Sequence, residues 1–513
     1  MVTIHFDDLR ARLTGDLPER VMEPLRRATS YFRTGFQFTT AYRNRRKGRG
    51  GWDGRTSLLV RPTNTFPAGL VPAVVTALES AKVDFRLVNQ RGVPGAPPEP
   101  AKDLLVGITL RDYQMRLLRA AVRGGSKPLY RILGENAKRL DARLKLPDRK
   151  QAVVDQRLPG RGIWWAATGS GKTEAAIALT KMLGCRTLFV VRGNTLVDQT
   201  RRRFADRLGV DIDQIGRVAE GQWAIRSVTI GGIDSLTVAL KTKAARAVLV
   251  QYLSTIRLLF ADECHTAGSD GFNTMVSLCP AYYRIAMSGT PLDRTDGANL
   301  RLIASFGEVL ERVPLKEMID KGISPRARIR FIEVAEPNLP DECSFQTAYK
   351  AAVTENTWLT NRICSEVSKA REKGLSVLIL VDKLKQGKLI SSRIWKGRVG
   401  GDFIVNEFIH GKHTLEERDE ALDKFRAGEL PVLIASGIFS TGIDVPNFDV
   451  IIAAAGGKSP INALQRIGRG MRGARLEYIE FDFRKTHKHL AKHTRARIRV
   501  YKAERCFDLE MVK

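Results

Sequence analysis

Three groups of residues in this sequence have the types and spacing to do chemistry together. The first is Ala166-Ala167-Thr168-Gly169-Ser170-Gly171-Lys172-Thr173, which follows the apolar run Ile163-Trp164-Trp165 and precedes a helix-forming stretch, Glu174 to Leu183. A strand running through a glycine turn into a helix start is what a phosphate loop needs. Thr168, Gly169, Ser170 and Gly171 would line the anion with backbone N–H groups, and the helix start adds partial positive charge. Lys172 would reach the β- and γ-phosphates of a nucleotide, and Thr173 would hold Mg²⁺. The general pattern is G-x-x-x-x-G-K-[S/T], and Ala166 replaces its first glycine. The plain alternative is an ordinary strand-turn-helix with a chance lysine.

The second group, Asp262-Glu263-Cys264-His265, ends the apolar run Leu258 to Ala261. Two adjacent carboxylates there can divide the labour: Asp262 holds Mg²⁺ through water, and Glu263 positions and activates an attacking water. Asp341-Glu342-Cys343 looks similar but follows Pro337 and Pro340 with no apolar run to present it, which predicts a surface loop. The third group is Gln465-Arg466-Ile467-Gly468-Arg469-Gly470-Met471-Arg472. Arg469 and Arg472 lie three apart on one helical face and can meet anionic phosphate as arginine fingers do. Two smaller signals accompany these groups. The Gln114 amide offers a donor and an acceptor to an adenine edge, and Ser288-Gly289-Thr290-Pro291 could sense the phosphate state.

Positioning such residues requires strands whose carboxyl ends gather on one side. Short apolar runs at Thr187 to Val191, Val228 to Ile230, Leu258 to Ala261 and Arg284 to Met287 alternate with helical stretches. This predicts a mostly parallel sheet covered by helices, with ligands at the strand ends. The rhythm restarts past about 335: strands at Val377 to Val381, Phe403 to Ile404, Val432 to Ala435 and Val450 to Ala454, and a helix from Leu415 to Arg426. That second sheet has no phosphate loop, so it must supply something other than a complete nucleotide site. The expected fold class is α/β, two tandem RecA-like domains with a small α+β domain in front. Expected boundaries are 1–100, 101–325 and 326–480, with a basic helical tail at 481–513.

The Pro-rich stretch Val93 to Pro100 closes the small first domain. Inside it Phe36, Phe38 and Tyr42 alternate in a strand-like way and are expected in the core. Arg43, Arg45, Arg46, Lys47 and Arg49 follow in a glycine-loosened loop suited to nucleic-acid phosphates; a solvated hairpin tip is the alternative. The basic segment containing Arg131, Lys138, Arg139, Arg143, Lys145, Arg149 and Lys150 fits a nucleic-acid clamp and a solvated inserted helix equally well. His489 and His493 are four apart but lack a third convergent ligand, so a packing or nucleic-acid face is expected rather than a metal site.

The whole chain agrees with this reading. With 84 Lys and Arg against 55 Asp and Glu, its 513 residues carry a net charge of +29, which favours a polyanionic partner. Six scattered cysteines without C-x-x-C spacing argue against a zinc site or a disulfide framework. With no apolar run near the roughly 18 residues that cross a bilayer, a cytoplasmic setting is expected.

Taken in order, these residues resemble the superfamily 2 helicases and translocases from about 105 to about 480. Arg111, Tyr113 and Gln114 resemble that family's adenine-reading motif, 166–173 its motif I, Leu196-Val197-Asp198-Gln199 motif Ia, 262–265 motif II and 288–291 motif III. Ser440-Thr441-Gly442-Ile443-Asp444-Val445 resembles motif V, and 465–472 motif VI. The resemblance implies ATP and Mg²⁺ as cofactors, nucleotide contacts from Arg111, Gln114, Gly442 and Asp444, and Gln465, Arg469 and Arg472 acting with Lys172, Asp262 and Glu263 in catalysis. Ser288 to Gly297, His410-Gly411-Lys412, and Phe425 to Glu429 resemble DNA-directed members. Together with the small first domain they resemble the phage UvsW-type helicases.

This implies ATP-driven action on branched DNA (forks, Holliday junctions, R-loops and their RNA–DNA hybrids) in replication, recombination or repair. A monomer working with recombination or replication proteins is expected. Arg192, where many relatives have proline, departs from the pattern. The rival readings are a duplex translocase or restriction motor that separates no strands, an RNA helicase, and a non-enzymatic annealing protein. No nuclease-like PD…(D/E)xK pairing favours a self-contained restriction enzyme.

Overall fold

A computed structural model describes the chain except residues 34, 47, 49, 93, 125–157, 265–269, 293–297, 325, 335, 341, 437–447, 458–475, 505 and 513. By packing, it divides into two units, 1–166 with 171–313 and 314–513 with 167–170.

The first unit opens with β1 (Val2–Phe6) and β2 (Arg10–Thr14), then β3 (Ser30–Phe32), β4 (Arg55–Ser57), β5 (Thr65–Pro67) and β6 (Phe85–Asn89). Four of these make a sheet in the order β5-β2-β1-β6, while β3 and β4 form a separate hairpin. Val2, Ile4 and Phe6 alternate inward onto the helices Glu19–Thr29 and Val71–Ser80, giving this small domain its own core.

The larger sheet contains β7 (Arg161–Ala166), β8 (Thr187–Val191), β9 (Ile215–Ala219), β10 (Gln222–Ala224), β11 (Val228–Gly232), β12 (Leu258–Ala261), β13 (Tyr283–Ser288) and β14 (Val309–Val313). Its order is β10-β9-β11-β8-β12-β13-β7-β14, and only the β9–β10 edge pair is antiparallel. Alternate side chains serve two faces. Ile163, Leu188 and Leu259 enter one apolar cluster, while Trp164, Phe189, Phe260 and Phe204 form a chain of aromatic contacts on the other. Burial on both faces explains why these strands read as unbroken apolar runs.

The small domain is fastened to this sheet by buried arginines around the β1–β2 turn. Asp7 Oδ1 accepts from the N–H groups of Leu9 and Arg10, which shapes the turn. Arg91 then donates from Nε to Asp8 Oδ1 at 2.6 Å, from Nη1 to the Pro159 carbonyl at 2.7 Å and from Nη2 to the Tyr282 carbonyl at 2.8 Å. Its guanidinium also lies 3.9 Å from the Tyr282 ring centroid. Arg161 and Arg284 both donate to the Asp8 carbonyl, at 3.1 and 3.0 Å. Burial, and then the neighbouring Arg284 and Arg91, hold the Arg161 guanidinium below its ordinary pKa. Removing one partner of such a buried pair strands the other, so Arg91→Leu is expected to cost about 3–5 kcal/mol. A urea midpoint equal to wild type would contradict that role.

The second unit contains β15 (Ala327–Glu333), β16 (Val377–Leu380), the short hairpin of β17 (Arg398–Val399) and β18 (Asp402–Phe403), β19 (Asn406–Ile409), β20 (Val432–Ala435), β21 (Val450–Ala453), β22 (Leu476–Asp482) and β23 (Asp508–Val512). Its seven-stranded sheet, β19-β20-β16-β21-β22-β15-β23, is parallel throughout. Leu378, Leu433 and Ile451 face one core and Ile379, Ile434 and Ile452 the other.

Four details differ from the sequence expectation. The second unit begins at Pro314, because Leu315 and Ile319 of the helix Leu315–Asp320 pack into its core. The expected separate tail is part of the second sheet. The helix Lys488–Glu504 packs Tyr501 against Phe331 and Tyr478, and β23 adds alongside β15. Phe403 pairs in the short hairpin rather than the main sheet.

The aromatic stretch in the small domain is not a strand. Gly35, at φ 74°, turns the chain out of β3, Phe36–Phe38 make a 3₁₀ turn, and Thr39 Oγ1 accepts from the Tyr42 N–H to start the helix Thr40–Arg46. Local capping overrides the alternation. The acidic look-alike behaves as a turn, with Glu342 exposed and residue 341 outside the described set. His489 and His493 flank the Phe345 ring, and His493 Nδ1 lies 3.3 Å from the Gly456 carbonyl.

Candidate nucleotide site

The site is built at the carboxyl end of β7, which lies between β13 and β14. Trp165 is the last large side chain before the turn, and its Nε1 donates to the Gly289 carbonyl at 2.9 Å, tying motif III to the strand that feeds the phosphate loop. In the loop, Gly169 and Gly171 have φ of 82° and 74°, left-handed values that cost a side-chain-bearing residue about 1–2 kcal/mol. The loop closes with the Ser170 N–H donating to the Ala167 carbonyl at 3.1 Å.

Lys172 and Thr173 open the helix Lys172–Leu183. Lys172 is buried although charged, whereas Thr173 is partly exposed. Ala175, Ala176, Ile177, Ala178 and Leu179 are fully buried, so the helix sits deep beneath the loop. Its first N–H groups and partial positive charge face the loop, an arrangement suited to an anion.

Gln114 reaches the same loop. Its Nε2 donates to the Gly171 carbonyl at 3.2 Å, and its Oε1 accepts from the Arg111 N–H at 2.8 Å. A Cβ at Gly171 would lie 2.4 Å from that Nε2, so a side chain there would displace the Gln114 amide from the loop, on top of the strain of the left-handed φ. Beside the adenine contact expected of it, the Gln114 amide thus makes a bond to the backbone of the glycine loop. Arg111 Nη1 donates to the Tyr113 hydroxyl at 3.1 Å, which fixes the arginine beside the same helix.

The acidic pair sits at the end of β12. The Asp262 N–H donates to the Val190 carbonyl of β8, continuing the ladder one residue past the strand. Asp262 Oδ1 accepts from the Glu263 N–H at 2.9 Å, and Glu263 has φ 46°, a left-handed value unusual outside glycine. That turn separates two adjacent carboxylates. Beside them the buried Cys264 thiol is pushed well above its ordinary pKa, first by burial and then by the charges of Glu263 and Asp262, with Lys172 opposing. One thiol therefore feels both carboxylates and the loop lysine, which brings the two sequence groups into a single electrostatic neighbourhood.

Motif III adds a polar anomaly. Ser288 Oγ accepts from the Thr290 N–H at 3.1 Å, while the buried Thr290 Oγ1 has no hydrogen-bond partner among the described residues. An orphaned hydroxyl costs about 1–3 kcal/mol. Motif Ia is held differently: Arg217 donates to both Asp198 oxygens, at 2.8 and 3.3 Å.

Gly442, Asp444, Gln465, Arg469 and Arg472 lie outside the described residues, as do His265 and the stretch Asp293 to Gly297. Sequence reasoning missed three structural links: Trp165 to Gly289, Gln114 to Gly171, and the arginines around Asp8. Only the Gln114–glycine link had a readable signal, the glutamine itself.

Residues 107–293 match the family described as "Type III restriction enzyme, res subunit", and 360–474 match "Helicase conserved C-terminal domain". Each match covers less than half of the chain; taken together, the two matched regions resemble the paired motor domains of superfamily 2 helicases, UvsW and XPB among them.

Particular relatives sharpen the comparison. "Putative helicase 22" of Sulfolobus islandicus filamentous virus is 26% identical over 63% of this chain and 60% of its own length. "DNA 3'-5' translocase XPB2" of Sulfurisphaera tokodaii is 26% identical over 61% of this chain and 75% of its own length. "ATP-dependent DNA helicase uvsW" of Enterobacteria phage T4 is 28% identical over 43% of this chain and 44% of its own length. The matched region spans less than two thirds of the first of these relatives.

Proposed function

We propose that this chain is an ATP-dependent DNA helicase or translocase that unwinds or remodels branched DNA: forks, Holliday junctions and R-loops. The observation that carries the reading is the glycine loop, with Gly169 and Gly171 at left-handed φ, running into the helix Lys172–Leu183, while the Asp262–Glu263 turn follows β12 of the same sheet. Loop N–H groups and Lys172 bind the ATP phosphates, and Arg111 and Gln114 lie on the adenine side. Thr173 and Asp262 are the residues that would hold Mg²⁺, whose bound charge would neutralise the β- and γ-oxygens. Glu263 orients the attacking water and takes up its proton. Arg469 and Arg472, with Gln465, Gly442 and Asp444, are assigned to the same reaction on their sequence pattern alone.

DNA binds mainly through its phosphates, and ATP turnover changes the grip on a strand. A soluble monomer acting in the cytoplasm with replication or recombination proteins fits the reading; among the described residues no helix is long and apolar enough to cross a membrane. RNA–DNA hybrids belong to the same substrate class.

A forked-duplex assay with Lys172→Ala as control tests the proposal. Strand release that needs both ATP and Lys172 is expected. DNA-stimulated hydrolysis without release would point to a duplex translocase, and DNA binding without hydrolysis to an annealing protein.

Arg43, Arg45 and Arg46 are exposed on the helix Thr40–Arg46, while Lys47 and Arg49 lie outside the described residues. As phosphate contacts, each arginine should contribute about 0.9 to the slope of log affinity against log salt on duplex DNA. Neutralising Arg45 and Arg46 is therefore expected to flatten that slope by nearly 2 if both touch phosphate. An unchanged slope would return this helix to a solvated surface.

A further inference from the structure

The first domain carries an aromatic residue that its own core does not use. Phe32 and Phe36 stack with centroids 4.9 Å apart, and Tyr42 meets Phe36 edge-on at 4.8 Å. A Cβ at Gly54 would lie 2.3 Å from the Phe36 ring, so the β4 side of the hairpin is closely fitted to this cluster. Phe38 is left out. It is 70% exposed and has no ring partner among the described residues.

Its surroundings are basic. Arg43, Arg45 and Arg46 are exposed one to two turns further on, and no Asp or Glu occurs between Ser30 and Trp52. The carboxylates of this domain nearest in sequence, Glu23 and Asp53, are paired with Arg26, so the exposed Phe38 ring shares its stretch of chain with three arginines.

The mount is firm. The Arg55 guanidinium lies 4.2 Å from the Phe32 ring centroid and donates to Ser30 Oγ, and Trp52 Nε1 donates to the Arg55 carbonyl. Next to Phe32, the Tyr31 hydroxyl accepts from Arg301 Nε at 2.5 Å. Arg301 belongs to the helix Ala298–Phe306, the first helix after motif III. Nearby, a Cβ at Gly69 would fall 2.1 Å from the Ile303 carbonyl of that helix, so only glycine permits the approach. The aromatic mount is thus joined to the motor domain that holds the phosphate loop.

From this we infer that Phe38 is a nucleobase platform that stacks on the exposed terminal base pair of a DNA branch while Arg43, Arg45 and Arg46 hold the flanking phosphates. Inside a duplex both faces of each base pair are covered by neighbours, whereas the pair at a fork presents one open face. A single ring on a basic surface therefore distinguishes a branch from continuous duplex. Stacking tolerates any base, because every base has a π-face. The inference rests on the DNA-motor reading for its purpose, although the binding step itself needs no ATP.

The test uses the full chain and a fork with 2-aminopurine in the terminal pair of its duplex arm, without nucleotide. Wild type is expected to change the probe fluorescence on binding. Phe38→Ala should lose that change and bind the fork about 5- to 100-fold more weakly, with affinity for linear duplex closed by a hairpin loop at each end kept and DNA-free ATP turnover unaltered. Phe38→Trp should restore both fork readouts.

A Phe38→Ala protein that still perturbs the probe as wild type does would overturn the platform. So would equal losses on fork and linear duplex, which would make Phe38 a general contact. Wild type without DNA-stimulated hydrolysis would instead count against the motor reading, leaving the probe result to decide the platform separately.

Discussion

Arg469→Ala is expected to lower ATP turnover by about 10³- to 10⁵-fold while leaving ATP affinity within a few-fold of wild type. The two kinds of cation act at different times. Lys172 and the loop N–H groups meet phosphate charge present in the bound ground state. An arginine finger meets charge that develops as the γ-phosphoryl group transfers. Removing it therefore takes away stabilisation of the transition state rather than of bound ATP, and the loss appears in kcat. The sequence around Arg469, from 326 to 480, contains no phosphate-loop pattern of its own, which is the reason a trans role is proposed for it. Measuring ATP binding and single-turnover hydrolysis on the same preparation separates the two effects. Turnover near wild type would remove Arg469 from the catalytic set.

The second large effect concerns the acidic pair. Glu263→Gln should reduce hydrolysis by about 10²- to 10⁴-fold, again with ATP binding retained, and should accumulate protein with unhydrolysed ATP. The substitution is nearly isosteric, and the feature that positions residue 263 is backbone: the N–H donated to Asp262 and the left-handed φ of 46°. Glutamine keeps that geometry and removes only the charge that accepts a proton. Asp262→Asn should behave differently, raising the Mg²⁺ concentration needed for half-maximal rate. If Glu263→Gln shifted only the Mg²⁺ requirement, the roles of the two carboxylates would have to be exchanged.

What was legible in the sequence was local. β8, β12 and β20 lie where the apolar runs lie, because a parallel strand buried on both faces must be apolar throughout. The helix Leu415–Arg426 begins at a readable capping box: Thr414 Oγ1 accepts from the Glu417 N–H, and the Glu417 carboxylate accepts from the Thr414 N–H. The phosphate loop declared itself through its glycines. By contrast, the pairing of β23 with β15 joins residues about 180 positions apart, and no local pattern announces it. The Arg91–Asp8 ion pair crosses 83 positions and looks, at each end, like an ordinary surface charge.

The first domain shows how a local reading can fail. Phe36, Phe38 and Tyr42 have strand-like spacing, yet Gly35 and Thr39 supply a turn and a helix cap that decide the backbone. Against the core expectation, Phe36 and Tyr42 are half-buried and meet each other edge-on outside the domain's core, and Phe38 becomes surface. Composition had already marked the surrounding arginines; only the fold could separate Phe38 from its neighbours.

The most direct test of a DNA-activated ATP motor is the hydrolysis rate measured side by side with no nucleic acid and with single-stranded, duplex, forked and RNA–DNA hybrid ligands, with Lys172→Ala as the baseline. Stimulation by DNA, strongest on the fork and absent from the Lys172 variant, is the predicted result. A wild-type rate that stays at the Lys172→Ala baseline on every ligand would contradict the account.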